Sequence, residues 1–400
     1  MLTGPVGAAI VLSALALALA PAGTGAASAR GPGPVASGIE LREFFVGGRY
    51  SADGKMMSGQ AHVLFMGPRR PRHAVPLVLI PGMGQTIANF LSTPDGRPGW
   101  AQQFVAMGFG VYLMDQPGRG ASAYHLTAYG PSSGQPARFL EQRFTAVRNF
   151  VPEAGRPWGW PQASRHSQWP GRGVAGDPVF DQFYASQVES AGGDISSQLV
   201  TDAASALLDR IGSAVVITHS QAGAFGWRIG EARPDRVRAI VAIEPSGPPF
   251  YSAPPPWGDG DPARMARPYG LTREPLAYLP AISDPAELKP VQESAARGRD
   301  LVRCWRQPEP ARKLANLSRV PVLILVSEAS YHAGYDHCTA AYLKQAGVRT
   351  DFIRLPQIGQ FGNGHMMMLE KNSANISAFI GQWLDRQERA PVEKRARRRR

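Results

Sequence analysis

The run from 213 to 226 constrains the fold more than any other part of the sequence. Apolar, mostly β-branched residues at 214–217 end abruptly just before Ser220, and small residues follow at once. This pattern predicts a buried strand, a tight turn carrying Ser220, and a helix that starts beneath the turn. A serine on such a corner exposes its hydroxyl, and the N–H of Gln221 lies at a helix N-terminus, where developing negative charge is stabilised. We therefore predict that Ser220 is a nucleophile.

The first 29 residues are typical of a secretory signal peptide. They contain no charged side chain, and an apolar core at 8–20 precedes the small residues Ala27-Ser28-Ala29. The core is too short for a membrane span, so we predict cleavage after residue 29 and a secreted or periplasmic protein. Residues 30–39 are predicted to be a flexible lead-in.

Apolar runs alternate with amphipathic stretches through the rest of the chain. Such alternation predicts an α/β fold in which a mostly parallel central sheet carries helices on both faces, here over residues 40–386. We expect strands at 40–46, 60–66, 77–80, 110–114, 214–217, 238–243, 321–326 and 349–355, and helices at 100–107, 196–211 and 366–386.

Two long stretches interrupt this alternation. Residues 126–190 and 246–315 are rich in proline, and the first contains Trp158, Trp160 and Trp169. A long irregular segment within a compact domain is usually functional, so we predict that both form caps over a site. The aromatic residues favour a bulky or aromatic substrate.

Positive charge is concentrated at the C-terminus. The net charge is +12, and residues 386–400 alone hold eight basic and two acidic side chains, a net of +6. We predict a solvated, disordered tail at 387–400; the alternative is electrostatic contact with an anionic envelope surface. Nucleic-acid binding is disfavoured because the rest of the chain lacks alternating basic and aromatic residues.

Cysteine and histidine spacing gives no clear metal signature. Cys304 and Cys338 could form one disulfide or remain as two buried thiols. His332 and His337 flank Asp336 closely in sequence, but the set lacks further ligands, so we expect no metal and no other cofactor.

Several motifs together resemble the α/β-hydrolase superfamily, and within it the exported bacterial serine esterases. The resemblance covers residues 40–386 and is carried by Pro81-Gly-Met-Gly84, Pro94-Asp-Gly-Arg-Pro-Gly-Trp100, Asp115-Gln-Pro-Gly-Arg-Gly120, His219-Ser-Gln-Ala-Gly223, Glu244-Pro and Gly364-His365. It implies the α/β-hydrolase fold and acyl transfer through a serine.

Acyl transfer by serine needs a base and an acid that orients the base. His365 follows the last strand, where the superfamily's order of serine, acid and histidine puts the base. The resembling esterases place a glutamate at the position of Glu244, whereas most other members take the acid from the loop after the next strand, where Asp336 lies. We predict Glu244 as the acid and keep Asp336 as the alternative. His219 is expected to brace the turn.

The oxyanion hole requires two N–H donors. Gln221 supplies one, and the resemblance gives the second to Met83, with Gly84 as the near alternative. We expect Asp115 and Arg119 to hold the neighbouring loop as a buried ion pair.

The sequence thus predicts a secreted serine hydrolase acting on small-molecule carboxylic esters. A lactonase, an amidase or a peptidase would use the same residues. A hypothesis from another class is a non-catalytic envelope-binding protein on a hydrolase scaffold, with the basic tail as its contact surface.

Overall fold

A computed structural model describes Met1 and residues 38–150, 159–258 and 260–397 of the chain. The predicted signal peptide and most of the lead-in lie outside these residues, as do Trp158 and the last three residues of the tail. The described residues from 38 onward belong to one compact unit.

An eight-stranded sheet organises this unit. Its strands are β1 (Ile39–Tyr50), β2 (Met57–Pro68), β3 (Leu77–Ile80), β4 (Val111–Met114), β5 (Ala214–His219), β6 (Val237–Ile243), β7 (Val322–Val326) and β8 (Thr350–Arg354). They lie in the order β1-β2-β4-β3-β5-β6-β7-β8. β2 is antiparallel to both of its neighbours, and the six strands from β4 to β8 are parallel. Each strand overlaps one predicted from the sequence, and the fold prediction is confirmed.

The sheet separates two apolar cores because successive side chains on a strand point to opposite faces. On β3, Leu77 and Leu79 contribute to one core, while Val78 and Ile80 contribute to the other. All four are buried, as a parallel strand covered on both faces requires.

Helices cover both faces of the sheet. They are α1 (Ala88–Leu91), α2 (Trp100–Ala106), α3 (Leu126–Tyr129), α4 (Ala137–Leu140), α5 (Pro178–Ala185), α6 (Gly193–Ile211), α7 (Ala222–Ala232), α8 (Asp336–Gln345) and α9 (Ser373–Arg397). Apolar residues of α2 and α9 belong to the first core, and those of α6, α7 and α8 belong to the second. Among the described residues, no helix has the length and apolar character needed to cross a bilayer.

The closing helix differs from its prediction at both ends. It begins at Ser373 rather than at residue 366, and it continues through 387–397, where a disordered tail was predicted. The extension is rich in Glu, Lys, Arg and Ala, which all have high helix propensity. The solvated, disordered tail at 387–400 stays a prediction.

The two stretches predicted as caps contain short elements rather than unbroken loops. Residues 126–190 include α3, α4, α5 and a π-helical turn at Glu141–Thr145. Residues 246–315 form three small antiparallel ribbons, which pair Phe250–Tyr251 with Met265–Arg267, Tyr278–Leu279 with Lys313–Leu314, and Val291–Gln292 with Trp305–Arg306.

A disulfide joins Cys304 to Cys338. It links the second stretch, just before Trp305, to the first turn of α8. Of the two states that the sequence left open, the structure has the bonded one.

Candidate active site

Ser220 lies on a strained turn between β5 and α7. Its φ is +54°, a conformation that costs a residue with a side chain on the order of 1–3 kcal/mol. The Ser220 N–H donates to the carbonyl of Ile243 (3.0 Å), and the Ser220 carbonyl accepts from the N–H of Ser246 (2.9 Å). Both bonds tie the turn to the end of β6, so the neighbouring strand holds the strained serine in place.

The small residues after Ser220 let α7 pack closely against the sheet. A Cβ added to Gly223 would lie 2.4 Å from Cβ of Pro245, and one added to Gly226 would lie 3.1 Å from Cγ2 of Thr218. Any larger side chain at 223 would push the helix away from the segment that carries Glu244. The small-residue pattern seen in the sequence is therefore a packing requirement of this corner.

Glu244 and His365 form a buried pair at the end of the sheet. His365 Nδ1 lies 2.6 Å from Glu244 Oε2, and both side chains are fully buried. The Glu244 carboxylate also accepts from the Ser327 N–H (2.7 Å) and the Ser330 hydroxyl (2.6 Å). Burial raises the pKa of Glu244, and the donors at Ser330 and Ser327 oppose that rise. With Nδ1 protonated, the ring turns Nε2 away from Glu244 and leaves it as an acceptor.

The surroundings of His365 keep its ring neutral. It stacks between Phe144 and His332, with ring centres 4.9 Å away on each side. Burial lowers the pKa of His365 well below its ordinary value, and the positive charge of Arg143 acts in the same direction. A neutral imidazole is the form that can accept a proton from a nucleophile.

Tyr331 lies beside both His365, the predicted base, and Ser220. It was not predicted from the sequence. Its hydroxyl lies 3.3 Å from Nε2 of His365, and Tyr331 and Ser220 line the same cavity. The Arg143 guanidinium lies 3.7 Å from the centre of the Tyr331 ring. Ser220 and His365 therefore lie at the same end of the sheet, each beside Tyr331. No local pattern marks a tyrosine for such a contact, because only tertiary packing creates it.

Asp336, the alternative acid, contacts a different histidine. Its Oδ1 lies 2.9 Å from Nδ1 of His332, one turn away. Burial raises the pKa of Asp336 well above its ordinary value, as does the charge of Glu244. Among the two candidate acids, only Glu244 makes a hydrogen bond to His365 in the described part of the chain.

The turn after β3 lies against Ser220. A Cβ on Gly82 would come within 3.0 Å of Ser220 Cβ and 3.2 Å of His219 Nδ1. Gln85 Oε1 accepts from the Gly82 N–H (3.2 Å) and lies 3.1 Å from Nδ1 of His219. His219 thus braces this turn against the serine, and its other nitrogen lies 3.1 Å from the His365 carbonyl. Met83, the predicted second donor, follows Gly82 directly.

A cavity of about 260 Å³ opens onto Ser220. Aromatic rings from both predicted cap regions line it, and so do two arginines. Its wall includes Met83, Phe139, Arg143, Phe144, Trp257, Arg267, Tyr331 and Tyr335. Trp160 and Trp169, two of the tryptophans noted in the sequence, do not line this cavity. Their rings are buried in the first core.

The loop that carries His365 is anchored by Glu370. The Glu370 carboxylate accepts from the N–H of Gly364 (2.8 Å) and from the side chain of Asn363 (2.7 Å). Its Oε1 also lies 2.7 Å from Nε2 of His166, which belongs to the stretch 126–190. The first insertion therefore contacts the support of the predicted base directly.

Three buried side chains also have a spacing that a metal ion could use. Ligand atoms of Glu244, His332 and His365 lie within 4.8 Å of one another. The hydrogen bonds already described assign the Nδ1 atoms of His365 and His332 to two carboxylates. The orientation of both rings is thus explained by Glu244 and Asp336.

Comparisons with known proteins agree with the geometry. A protein named probable secreted lipase phiG, from a fungal species (strain ATCC 74256), is 43% identical over 358 residues, which cover 88% of this chain and 91% of that protein. A solved structure described as a novel bacterial esterase shares 20% identity with a TM-score of 0.57, covering 90% of this chain and 99% of its own; this likeness concerns the fold alone. The profile of the alpha/beta hydrolase family matches residues 77–378. This chain therefore belongs to the alpha/beta hydrolase family.

Proposed function

We propose that this protein is a serine hydrolase of carboxylic esters, with Ser220 as nucleophile, His365 as base and Glu244 as orienting acid. The observation that carries the proposal is the buried 2.6 Å contact between Glu244 and His365, whose other ring nitrogen lies 3.3 Å from the hydroxyl of Tyr331, a residue that lines the same cavity as Ser220. A nucleophile, a base and an orienting acid in this chemical order are what acyl transfer requires.

The reaction proceeds in two halves. Ser220 Oγ attacks the ester carbonyl carbon while Nε2 of His365 accepts the hydroxyl proton, and the N–H groups of Met83 and Gln221 donate to the oxyanion. The intermediate collapses, the C–O bond to the alcohol breaks, and His365 returns the proton to the leaving oxygen. Water then attacks the acyl-enzyme with His365 again as base, which releases the acid and restores Ser220.

The cavity supports an ester with an apolar, ring-sized group. Its volume of about 260 Å³ and its aromatic wall fit a substrate of modest size. The related fungal protein is named a lipase, which supports an ester or lipid substrate for this chain as well. Lactones, amides and peptides would react through the same atoms and are the competing substrate classes.

Secretion is part of the proposal. The apolar segment at 8–20 and the small residues before Arg30 support export, and the related fungal protein is named as secreted. The non-catalytic alternative, envelope binding through the basic tail, predicts a protein that does not react covalently at Ser220.

The first prediction concerns the nucleophile. Ser220→Ala is expected to lower hydrolysis of short p-nitrophenyl esters at least about 10³-fold, because the attacking oxygen is lost. Initial rates on an ester panel, with lactones and amides alongside, measure this and rank the substrate classes.

Covalent labelling separates the enzyme from the binding protein. A fluorophosphonate should attach to Ser220 in the folded wild type and in the surface variant Ser318→Ala, but not in Ser220→Ala. Unlabelled wild-type protein, or full activity in Ser220→Ala with unchanged thermal unfolding, would contradict the proposed function.

A further inference from the structure

Arg119 joins the two segments that hold the proposed oxyanion donors. It lies in the turn after β4 and is only 2% exposed. Its NH1 donates to the carbonyl of Gly82 (2.8 Å), and its NH2 donates to Oε1 of Gln221 (2.9 Å). Because β3 lies between β4 and β5 in the sheet, the guanidinium reaches across the end of β3 to the turn after β5. The expected ion pair with Asp115 is replaced by these two hydrogen bonds.

The bond to the Gly82 carbonyl helps to fix the direction in which the Met83 N–H points. In a trans peptide the C=O and the following N–H point in opposite directions. The bond between Gly82 and Met83 is trans, since the cis bonds of the described residues all precede prolines. A carbonyl held on Arg119 therefore turns the Met83 N–H away from Arg119. Glycine offers little resistance to a peptide flip, and within the turn the Gly82 carbonyl accepts only one long bond, from the Gln85 N–H (3.3 Å), which the shorter bond from Arg119 reinforces.

Neighbouring groups fix Arg119 in turn. The carboxylate of Asp115 accepts from the N–H groups of Ile87 (2.9 Å) and Ala121 (3.2 Å), which shapes the turn. Gln116 donates to the Pro81 carbonyl (2.7 Å), beside the bond made by Arg119. Burial lowers the pKa of Arg119 to about 10, so the group is still charged at neutral pH.

We propose that Arg119 is a positioning residue that aligns both halves of the oxyanion hole at once. One arm of the planar guanidinium orients the Gly82–Met83 peptide, and the other holds the side chain of Gln221. The backbone N–H of Gln221 is the second oxyanion donor. A fixed fork can satisfy two acceptors in a set geometry, which a lysine ammonium on a flexible stem does not. This inference rests on the proposed serine mechanism and adds a determinant outside the triad.

The test compares Arg119→Lys with Gln221→Leu, which removes one arm only. A misaligned donor weakens transition-state binding, so kcat is expected to fall on the order of 10²-fold in Arg119→Lys and less in Gln221→Leu, with KM within about twofold. The Ki of an alkyl trifluoromethyl ketone, which binds Ser220 as a tetrahedral adduct, should rise by the factor by which kcat/KM falls.

Arg228→Lys is the matched control. Arg228 also donates to a backbone carbonyl, that of Pro275, and to a glutamine Oε1, that of Gln198. Rates are expressed per site titrated with fluorophosphonate, because a merely structural defect would lower the number of titratable sites but leave kcat per site and Ki unchanged. Arg228→Lys should match the wild type.

Unchanged kcat per site and unchanged Ki in Arg119→Lys would overturn the inference while leaving the proposed function intact. If Arg119→Lys does not fold, the same two readings on Gln221→Leu decide the question. Failure of the proposed function has a different signature, since the wild type would then neither react with fluorophosphonate nor bind the ketone through Ser220.

Discussion

Glu244 receives hydrogen bonds from three directions, and this distinguishes it from Asp336. Ser327, Ser330 and His365 all contact its carboxylate, while one oxygen of Asp336, Oδ2, has no hydrogen-bonding partner among the described residues. The φ of Glu244 is +45°, so the backbone as well as the side chain is held in an uncommon conformation. Strain at a polar, buried residue is typical of functional positions.

Exchange of each acid for its amide should therefore give unequal results. Glu244→Gln is expected to lower kcat by about 10³-fold or more, because the ring loses the partner that selects its tautomer and stabilises the imidazolium. Asp336→Asn should cost less than about tenfold, since Asp336 contacts His332 and not His365. Steady-state kinetics on both variants, with thermal unfolding to check folding, measure the ranking. The reverse order would transfer the acid's role to Asp336.

Arg143 should add to the effect of burial on the pH at which hydrolysis begins. The groups that face His365 are Glu244, Tyr331, His332 and His219, and Arg143 adds a positive charge that lowers the pKa of His365. The base works only when neutral, that is, above its pKa. Arg143→Gln removes the charge and raises that pKa, so the rising limb of kcat/KM should move to higher pH.

The pH profile of kcat/KM from pH 4 to 9 measures this shift. Arg138→Gln is the control, because Arg138 lies one turn earlier with its side chain 61% exposed. Its profile should match the wild type. If the rising limb of kcat/KM in Arg143→Gln stays at the same pH or moves to lower pH, Arg143 does not lower the pKa of His365.

At the scale of elements, periodicity was sufficient for the sheet but not for the insertions. Buried parallel strands are continuous apolar runs, which is why β3, β5, β6 and β7 were predicted to within two residues. The helix α8 was missed because its first turn is Asp-His-Cys-Thr, whose residues have low helix propensity, and the strong helix formers come only after that turn. It is buried by packing against the sheet, and local sequence carries little information about that packing.

The site shows the same division. Ser220, Glu244 and His365 could be proposed because they stand at strand ends in the order expected from the resemblance. Tyr331 and Arg143 could not, because their contacts join the predicted caps to the sheet only after folding. Chain order predicts which edge of a sheet a residue reaches, whereas contacts between insertions depend on shape.

At the scale of the whole molecule, the disulfide restricts the unfolded chain. Cys304 and Cys338 are 34 residues apart, and a loop of this length corresponds to about 4 kcal/mol of stabilisation. The double variant Cys304→Ser, Cys338→Ser is therefore expected to unfold about 5 °C below the wild type. Calorimetry with and without reductant measures the difference. Reductant should lower the Tm of the wild type and leave that of the double variant unchanged; equal Tm values without reductant would contradict the assignment.

The contact between His166 and Glu370 limits how the first insertion, residues 126–190, can be replaced. The first insertion and the loop that carries His365 share one buried carboxylate, that of Glu370. The insertion therefore cannot be exchanged independently of this loop. A graft that brings a new insertion without a partner for Glu370 would leave that carboxylate with fewer donors and loosen the loop that bears the histidine. An exchange of this insertion therefore has to keep a donor for Glu370 or replace Glu370 as well.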